Sequence, residues 1–355
     1  MGKDTRRKMA GIIIPPGWRI PERETTDKAG YLGRRAFVKS TGLAIAGLAV
    51  APGCLAEGRP NAPQGAGASG PLDTIPANAP REGLPAVRNT TYPVPDRPLT
   101  ERVTASSYNN YYEFISQGDL KNVWPLVDDY NPFPATIKVT GLVEDEFEIE
   151  AGELIRQMEL EERVYRFRCV EAWSMTIPWT GFPLARLIER CKPLSRATYV
   201  AFKSSAKHRE MPGVRNASWY EWPYFEGLRI AESVNEMAFV ATGMYGEPLP
   251  KQNGSPLRLV LPWKYGYKGP KAVVELRFTD RQPPTFWNKL QPAEYGFLSN
   301  VNPYIPHPRW SQASERYIRS EDDISRRETL LFNGYTEWVG GLYPDEPTTL
   351  TRTVR

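Results

Sequence analysis

Three observations predict an α+β fold of mixed sheets with short helices and much irregular loop: short period-2 stretches of β-branched and aromatic residues, few helical stretches, and 34 prolines in 355 residues. In chain order the strand-like stretches are 136–143, 164–170, 198–204, 238–242, 257–262 and 272–279. Residues 152–158 and 182–191 carry helical spacing. In the second of these, Leu184, Leu187, Ile188 and Cys191 fall on one face. After Arg281 the chain reads as a long irregular stretch. A doubly wound α/β domain needs regular helices between its strands, which these intervals do not supply, and no internal repeat is evident.

Ahead of the strands, residues 1–56 combine a long polar extension with Arg34-Arg35-Ala36-Phe37-Val38-Lys39 and a small-residue apolar run over 41–51. This is the pattern of a twin-arginine signal, so export to the periplasm by the twin-arginine translocase is expected. That route carries proteins already folded, typically around a cofactor. The run near residue 45 is too short and too rich in Gly and Ala for a membrane span. Residues 57–102, crowded with Pro, Gly, Ala and Asn, read as a tether and wrapping segment, and 103–355 as the catalytic domain.

The chain has 45 Lys and Arg against 41 Asp and Glu, a net charge of +4. Residues 1–56 hold 10 of the bases and 4 of the acids, which leaves 35 against 37, or −2, for the rest. The basic excess belongs to the targeting segment, which removes most of the case for nucleic acid or anionic lipid as a partner and leaves only local patches.

Three cysteines occur, and Cys54 sits at the end of the leader. Cys169 and Cys191 remain as a disulfide pair in an oxidising compartment, or as a functional thiol and a small core residue. Strand alternation puts Tyr165, Phe167 and Cys169 on one face and turns Arg166 and Arg168 to the other. A thiol pointing inward at a strand end is suited to a soft metal.

The two histidines, His208 and His307, rule out a zinc site built on several histidines. Neither has a supporting motif for a catalytic triad, and His307 between two prolines reads as a structural loop residue. No GxGxxG or P-loop follows a strand. What remains is a dispersed polar set: Asn109 to Glu113, Cys169, Lys203-Ser204, Gln252 to Arg258, and Lys264 to Lys271. Each part has an ordinary reading as a cap, a turn or a solvated loop. Together they have the composition of a site for a large anionic cofactor, with bases for a phosphate, glycines for close approach, amides for heterocycle edges and a thiolate for a metal.

Five runs give this set a specific likeness: Tyr108-Asn109-Asn110-Tyr111-Tyr112-Glu113-Phe114, Arg168-Cys169-Val170-Glu171-Ala172-Trp173-Ser174-Met175, Pro250-Lys251-Gln252-Asn253-Gly254, Pro262-Trp263-Lys264-Tyr265-Gly266-Tyr267-Lys268-Gly269 and Asn302-Pro303-Tyr304. From about Tyr108 onward the chain resembles the molybdenum-containing catalytic subunits of periplasmic methionine sulfoxide reductase systems, in the sulfite oxidase family. The resemblance implies a sulfite-oxidase-type molybdopterin-binding fold and a molybdenum–molybdopterin cofactor. It implies Cys169 as the metal ligand and catalytic centre, with molybdopterin contacts at Asn109, Tyr112, Glu113, Ser204, Asn253, Arg258, Gly269, Pro270 and Lys271. Ser204 stands where Thr is expected and keeps the hydroxyl, while Pro270 has only a carbonyl or its shape to offer.

The implied activity is oxygen-atom transfer from methionine sulfoxide, free or in oxidised periplasmic proteins, with electrons from the quinone pool through a haem-containing membrane subunit. Such a reaction reverses a lesion that puts a polar S–O into apolar cores. The alternatives are a sulfite dehydrogenase or another S- or N-oxide reductase of the same family, and a metal-free binding protein. Sulfite would call for converging bases beside the metal. The aromatic cluster Trp219, Tyr220, Trp222, Tyr224 and Phe225 reads either as core or as a methionine-sized pocket.

Overall fold

The computed structural model describes residues 70–115 and 122–351. The twin-arginine motif, Cys54 and the first part of the tether lie outside these residues. Among the described residues twelve strands form two sheets: β1 (Thr136–Gly141), β2 (Phe147–Glu150), β3 (Glu161–Arg168), β4 (Trp173–Pro183), β5 (Tyr199–Ser204), β6 (Phe225–Arg229), β7 (Phe239–Met244), β8 (Glu247–Pro248), β9 (Arg258–Val260), β10 (Val273–Thr279), β11 (Ser314–Ile318) and β12 (Ile324–Glu328).

The smaller sheet has the order β2-β1-β10-β5-β6, with β1 parallel to β10 and the other pairs antiparallel. The larger runs β12-β11-β4-β7-β8, with β3 paired to β4 and β9 to β7. One contiguous core draws on both, from Val139, Phe202 and Leu276 to Trp179, Phe239 and Trp263. A second, smaller cluster seats Tyr111, Phe114 and Ile115 against Val127, Tyr130 and Met211, and so fixes the segment that follows the helix Arg102–Ser107.

The predicted α+β architecture is present, and all six strand-like stretches hold strands. The two helices are Ala151–Arg156, whose first turn is capped by the Glu150 carboxylate accepting from the Glu153 N–H at 2.9 Å, and Leu184–Cys191. Leu184, Leu187, Ile188 and Cys191 are buried on the latter. Cys191 is therefore a core residue, and no disulfide joins it to Cys169, so the disulfide alternative falls.

The longest strand escaped the periodicity. β4 is buried at ten successive positions, so nothing alternates along it, and Pro178 and Gly181 break its pattern. Gly181 is required there, because a Cβ would lie 1.9 Å from the Val240 carbonyl oxygen of the neighbouring β7. The stretch after Arg281 is less irregular than its composition suggests: it contributes β11, β12 and the short helix Phe286–Leu290. β3 is also covered on both sides, so Arg163, Arg166 and Arg168 are buried along with Tyr165. The wrapping segment meets β3 where Arg88 bridges to Glu162 and β11 where the Thr100 hydroxyl donates to the Ile318 carbonyl at 2.7 Å.

Candidate functional site

Cys169 directly follows β3, where the chain reverses into β4. The Cys169 N–H donates to the Trp173 carbonyl at 2.9 Å and the Ala172 N–H returns to the Cys169 carbonyl at 3.1 Å, with Ala172 in the left-handed region at φ 61°. This tight turn projects Sγ into a cavity of about 610 Å³. The Glu171 N–H approaches Sγ at 3.5 Å and the Asn110 amide nitrogen at 3.8 Å, both oriented to stabilise a thiolate.

Three further segments converge on the same cavity. The Tyr108–Ile115 segment contributes Asn109, Asn110, Tyr112 and Glu113; the turn Lys251–Asn253 and β9 contribute Asn253 and Arg258; the loop before β10 contributes Gly269, Pro270 and Lys271. Lys271 ties two of them together by donating to the Asn110 carbonyl at 2.7 Å. Gly254, at φ 108°, makes the turn that lets Arg258 point back under Asn253, whose carbonyl it reaches at 3.1 Å. Gly269 passes so close to β9 that a Cβ would stand 2.4 Å from the Leu259 carbonyl oxygen.

The charge balance of this cradle is incomplete. Arg258 is buried over the rings of Trp179 and Phe167, and among the described residues no carboxylate lies within ion-pair reach of it. Burial pushes its guanidinium down to about 10. Burial, with Arg258 beside it, likewise lowers the Lys271 ammonium, and burial raises the Glu113 carboxyl against the pull of Lys271. The buried Asn109 Oδ1, Asn253 Oδ1 and Ser204 Oγ have no hydrogen-bond partner among the described residues. Two bases facing one carboxyl, with unsatisfied amides around them, fit an anionic, hydrogen-bonding heterocycle. A soft thiolate in the same cavity fits a metal held by that same group.

Nine of the ten residues singled out from the sequence line this one cavity: Cys169, Asn109, Tyr112, Glu113, Asn253, Arg258, Gly269, Pro270 and Lys271. Ser204 is buried at the end of β5 beside them but is not part of the lining. The Pro270 carbonyl accepts from the Leu259 N–H at 3.0 Å, so shape is the main thing that proline offers the cavity.

The loop lysines divide by role. Lys264 pairs with Glu232 at 2.7 Å and Lys268 with Glu226 at 2.6 Å, all four fully buried, so both lysines anchor the loop rather than face a ligand. The aromatic cluster divides as well: Tyr220 and Tyr224 line the cavity, Trp222 and Phe225 pack on Phe286, and Trp219 is 57% exposed.

Sequence reasoning missed most of the cavity mouth. Trp287, Tyr295, Arg309 and Trp310 line it together with Tyr112 and Tyr220. Tyr112 meets Trp287 edge to face at 5.0 Å, and Trp287 meets Tyr295 at a tilt, with ring centres 5.3 Å apart. His307 is structural, as expected, and stacks on Trp310 at 3.7 Å. The signal was present in the aromatic density after Arg281, but no periodic pattern framed it.

A thiol, a cationic cradle and an aromatic mouth around one cavity define a cofactor-dependent redox site, and the comparisons specify it. The model of the oxidoreductase molybdopterin-binding domain matches residues 126–287, and with it the chain is a molybdopterin-dependent oxidoreductase whose cofactor is molybdenum–molybdopterin. The protein-methionine-sulfoxide reductase catalytic subunit of Burkholderia mallei is 42% identical over 325 residues, covering 91% of this chain and 93% of the relative. That of Gluconobacter oxydans is 50% identical over 250 residues, covering 69% and 78%, and that of Xanthomonas campestris 44% over 328 residues, covering 92% and 95%. The chain belongs to the family of protein-methionine-sulfoxide reductase catalytic subunits. Among solved structures, the sulfane dehydrogenase SoxCD of Paracoccus pantotrophus aligns with a TM-score of 0.40 at 14% identity, over 66% of this chain and 64% of that one.

Proposed function

We propose that this protein reduces methionine sulfoxide, free and within oxidised proteins, at a molybdenum ligated by Cys169. The single observation that carries this reading is the placement of the Cys169 thiol in one cavity with an under-compensated cationic cradle and an aromatic mouth. When bound, the cofactor supplies a metal that changes oxidation state by two electrons, which is the chemistry of moving an oxygen atom. The chain's own residues do the rest.

Arg258, Lys271, Asn109 and Asn253 hold the anionic, hydrogen-bonding end of the cofactor. Asn110 and the Glu171 N–H orient and stabilise the thiolate. Tyr112, Tyr220, Trp287, Tyr295 and Trp310 form an apolar wall suited to a thioether side chain, since sulfur packs well at aromatic edges, and they keep bulk water from the reacting groups. Reduction of the sulfoxide to the thioether consumes two electrons and two protons and releases water. The electrons come through a haem-bearing membrane subunit from the quinone pool, a reading supported by the relatives being named catalytic subunits. The leader motif Arg34-Arg35 supports twin-arginine export and a periplasmic location.

A sulfite dehydrogenase fits less well. Arg166 and Arg168, the bases nearest Cys169 in sequence, are spent on Asp96 and Glu315, at 2.6 and 2.9 Å. The cationic lining among the described residues is Arg258 and Lys271 in the cradle and Arg309 at the mouth, where Glu294 holds it at 2.7 Å. A neutral sulfoxide suits that mouth better than a sulfite dianion. The test is anaerobic oxidation of a reduced viologen by the molybdenum-loaded protein on addition of methionine sulfoxide, with Cys169→Ser as control. Turnover that disappears in the control supports the reading; full metal loading without turnover overturns the substrate.

A further inference from the structure

The turn that carries Cys169 is gripped from behind by a buried polar cluster. Both carbonyls next to the thiol are held. The Cys169 carbonyl accepts from the Arg168 guanidinium, and the Val170 carbonyl accepts from Trp310 Nε1 and Gln312 Nε2, each at 2.8 Å. The grip is closed on itself, because Arg168 also donates to the Gln312 side-chain oxygen at 2.8 Å and to Glu315 at 2.9 Å. Glu315 is fixed in turn by Arg97 and by the Ser174 hydroxyl, both at 2.8 Å. The Arg316 N–H completes the hold by donating to the Ala172 carbonyl at 2.8 Å.

Arg97, Arg168, Gln312 and Glu315 are all buried. Sinking two guanidiniums and a carboxylate is costly unless geometry is what they secure, since apolar residues of similar volume would fill the space more cheaply. The sheet bonds that reach this turn hold Cys169 N–H and the Ala172 and Trp173 carbonyls, and side chains hold the Cys169 and Val170 carbonyls.

We infer that Gln312, with Trp310, Arg168 and Glu315, is a positioning device that fixes the direction of the Cys169 thiolate, and through it the electronic state of the metal that the thiolate ligates. The inference rests on Cys169 being the ligand. Gln312 is its key member: among the described residues it is the one side chain that both accepts from Arg168 and donates to the Val170 carbonyl, so it joins the two held carbonyls. Neither Arg168 nor Gln312 lines the cavity, so each acts through the turn.

The experiment compares Gln312→Leu, Gln312→Leu combined with Trp310→Phe, and Cys169→Ser with the parent. Three quantities are read: thiolate-to-metal absorption and midpoint potential of the loaded protein, kcat and KM for methionine sulfoxide, and the alkylation rates of Cys169 and Cys191 in cofactor-free protein. The expected result is a shifted absorption band and potential, a kcat lowered roughly tenfold, equivalent to about 1.4 kcal/mol, and a KM for Gln312→Leu near that of the parent. In cofactor-free protein Cys169 is alkylated faster while Cys191, buried in the core, stays protected.

An unchanged band, potential and kcat in the double variant overturn the inference. So does faster alkylation of Cys191 in step with Cys169, because the cluster then serves general stability. If Cys169→Ser keeps the parent's absorption band, it is the ligand reading that falls, whatever the Gln312 variants do.

Discussion

Replacing Arg258 by methionine should make the cofactor-free protein more stable and the loaded protein rare. The guanidinium is buried with no carboxylate in reach among the described residues, and burial lowers it from its ordinary 12.5 to about 10. At about 1.4 kcal/mol per unit, holding that charge costs the cofactor-free fold on the order of 3 kcal/mol. Against this stand its hydrogen bond to the Asn253 carbonyl at 3.1 Å and its place over Trp179 and Phe167, together about 1–2 kcal/mol. Methionine has similar length, packs on the same rings and carries no charge.

The net expectation is a gain of about 1–2 kcal/mol, a rise in melting temperature of roughly 2–8 °C for a domain of this size. Cofactor retention moves the other way, since losing one charge-assisted contact to an anion costs about 1.5–3 kcal/mol, or roughly ten- to a hundredfold in affinity. The assay is thermal unfolding of protein made without pterin synthesis, set beside pterin fluorescence after denaturing oxidation of protein made with it. A variant that melts several degrees lower without cofactor and keeps its full complement of pterin would refute the reasoning.

Three further outcomes follow from the same geometry. Gly269→Ala places a methyl 2.4 Å from the Leu259 carbonyl oxygen, so the loop must shift; a loss of about 1–3 kcal/mol and a fall in pterin content are expected, by urea unfolding and pterin assay. Lys264 and the Tyr343 hydroxyl beside Glu232 outweigh its burial and hold its carboxyl at about 2, below its ordinary 4.5. Its contribution is complete above pH about 4.5 and disappears as pH falls toward 2, so the urea midpoint of the parent should drop across that window more steeply than that of Glu232→Gln. Trp219→Ala should leave the melting temperature within about 1 °C, since this ring is 57% exposed and exposed substitutions cost about 0.5 kcal/mol or less, whereas Trp222→Ala, which loses its stacking on Phe286 at 5.5 Å, should lower it clearly in the same scan.

The sequence by itself determined the fold class, the six predicted strands, the helix that buries Cys191 and nine residues of the cavity. The strands and the helix are written in local pattern, as alternation on half-buried strands and as helical spacing, while the individual cavity residues came from the resemblance that the contiguous motifs carry. Tertiary structure alone decided the rest. β4 has no alternation because both its faces are covered, so its pattern exists only once β3, β7 and β11 are beside it. Lys264, Lys268 and Lys271 look alike along the chain, and only the approach of Glu232 and Glu226 from distant segments turns the first two into buried anchors and leaves the third facing the cavity. Trp287, Tyr295, Arg309 and Trp310 of the mouth and Trp310, Gln312 and Glu315 of the grip lie more than a hundred positions downstream of the thiol. Such long-range contacts have no local signature, because proximity there is set by the packing of whole strands and not by the spacing of neighbouring residues.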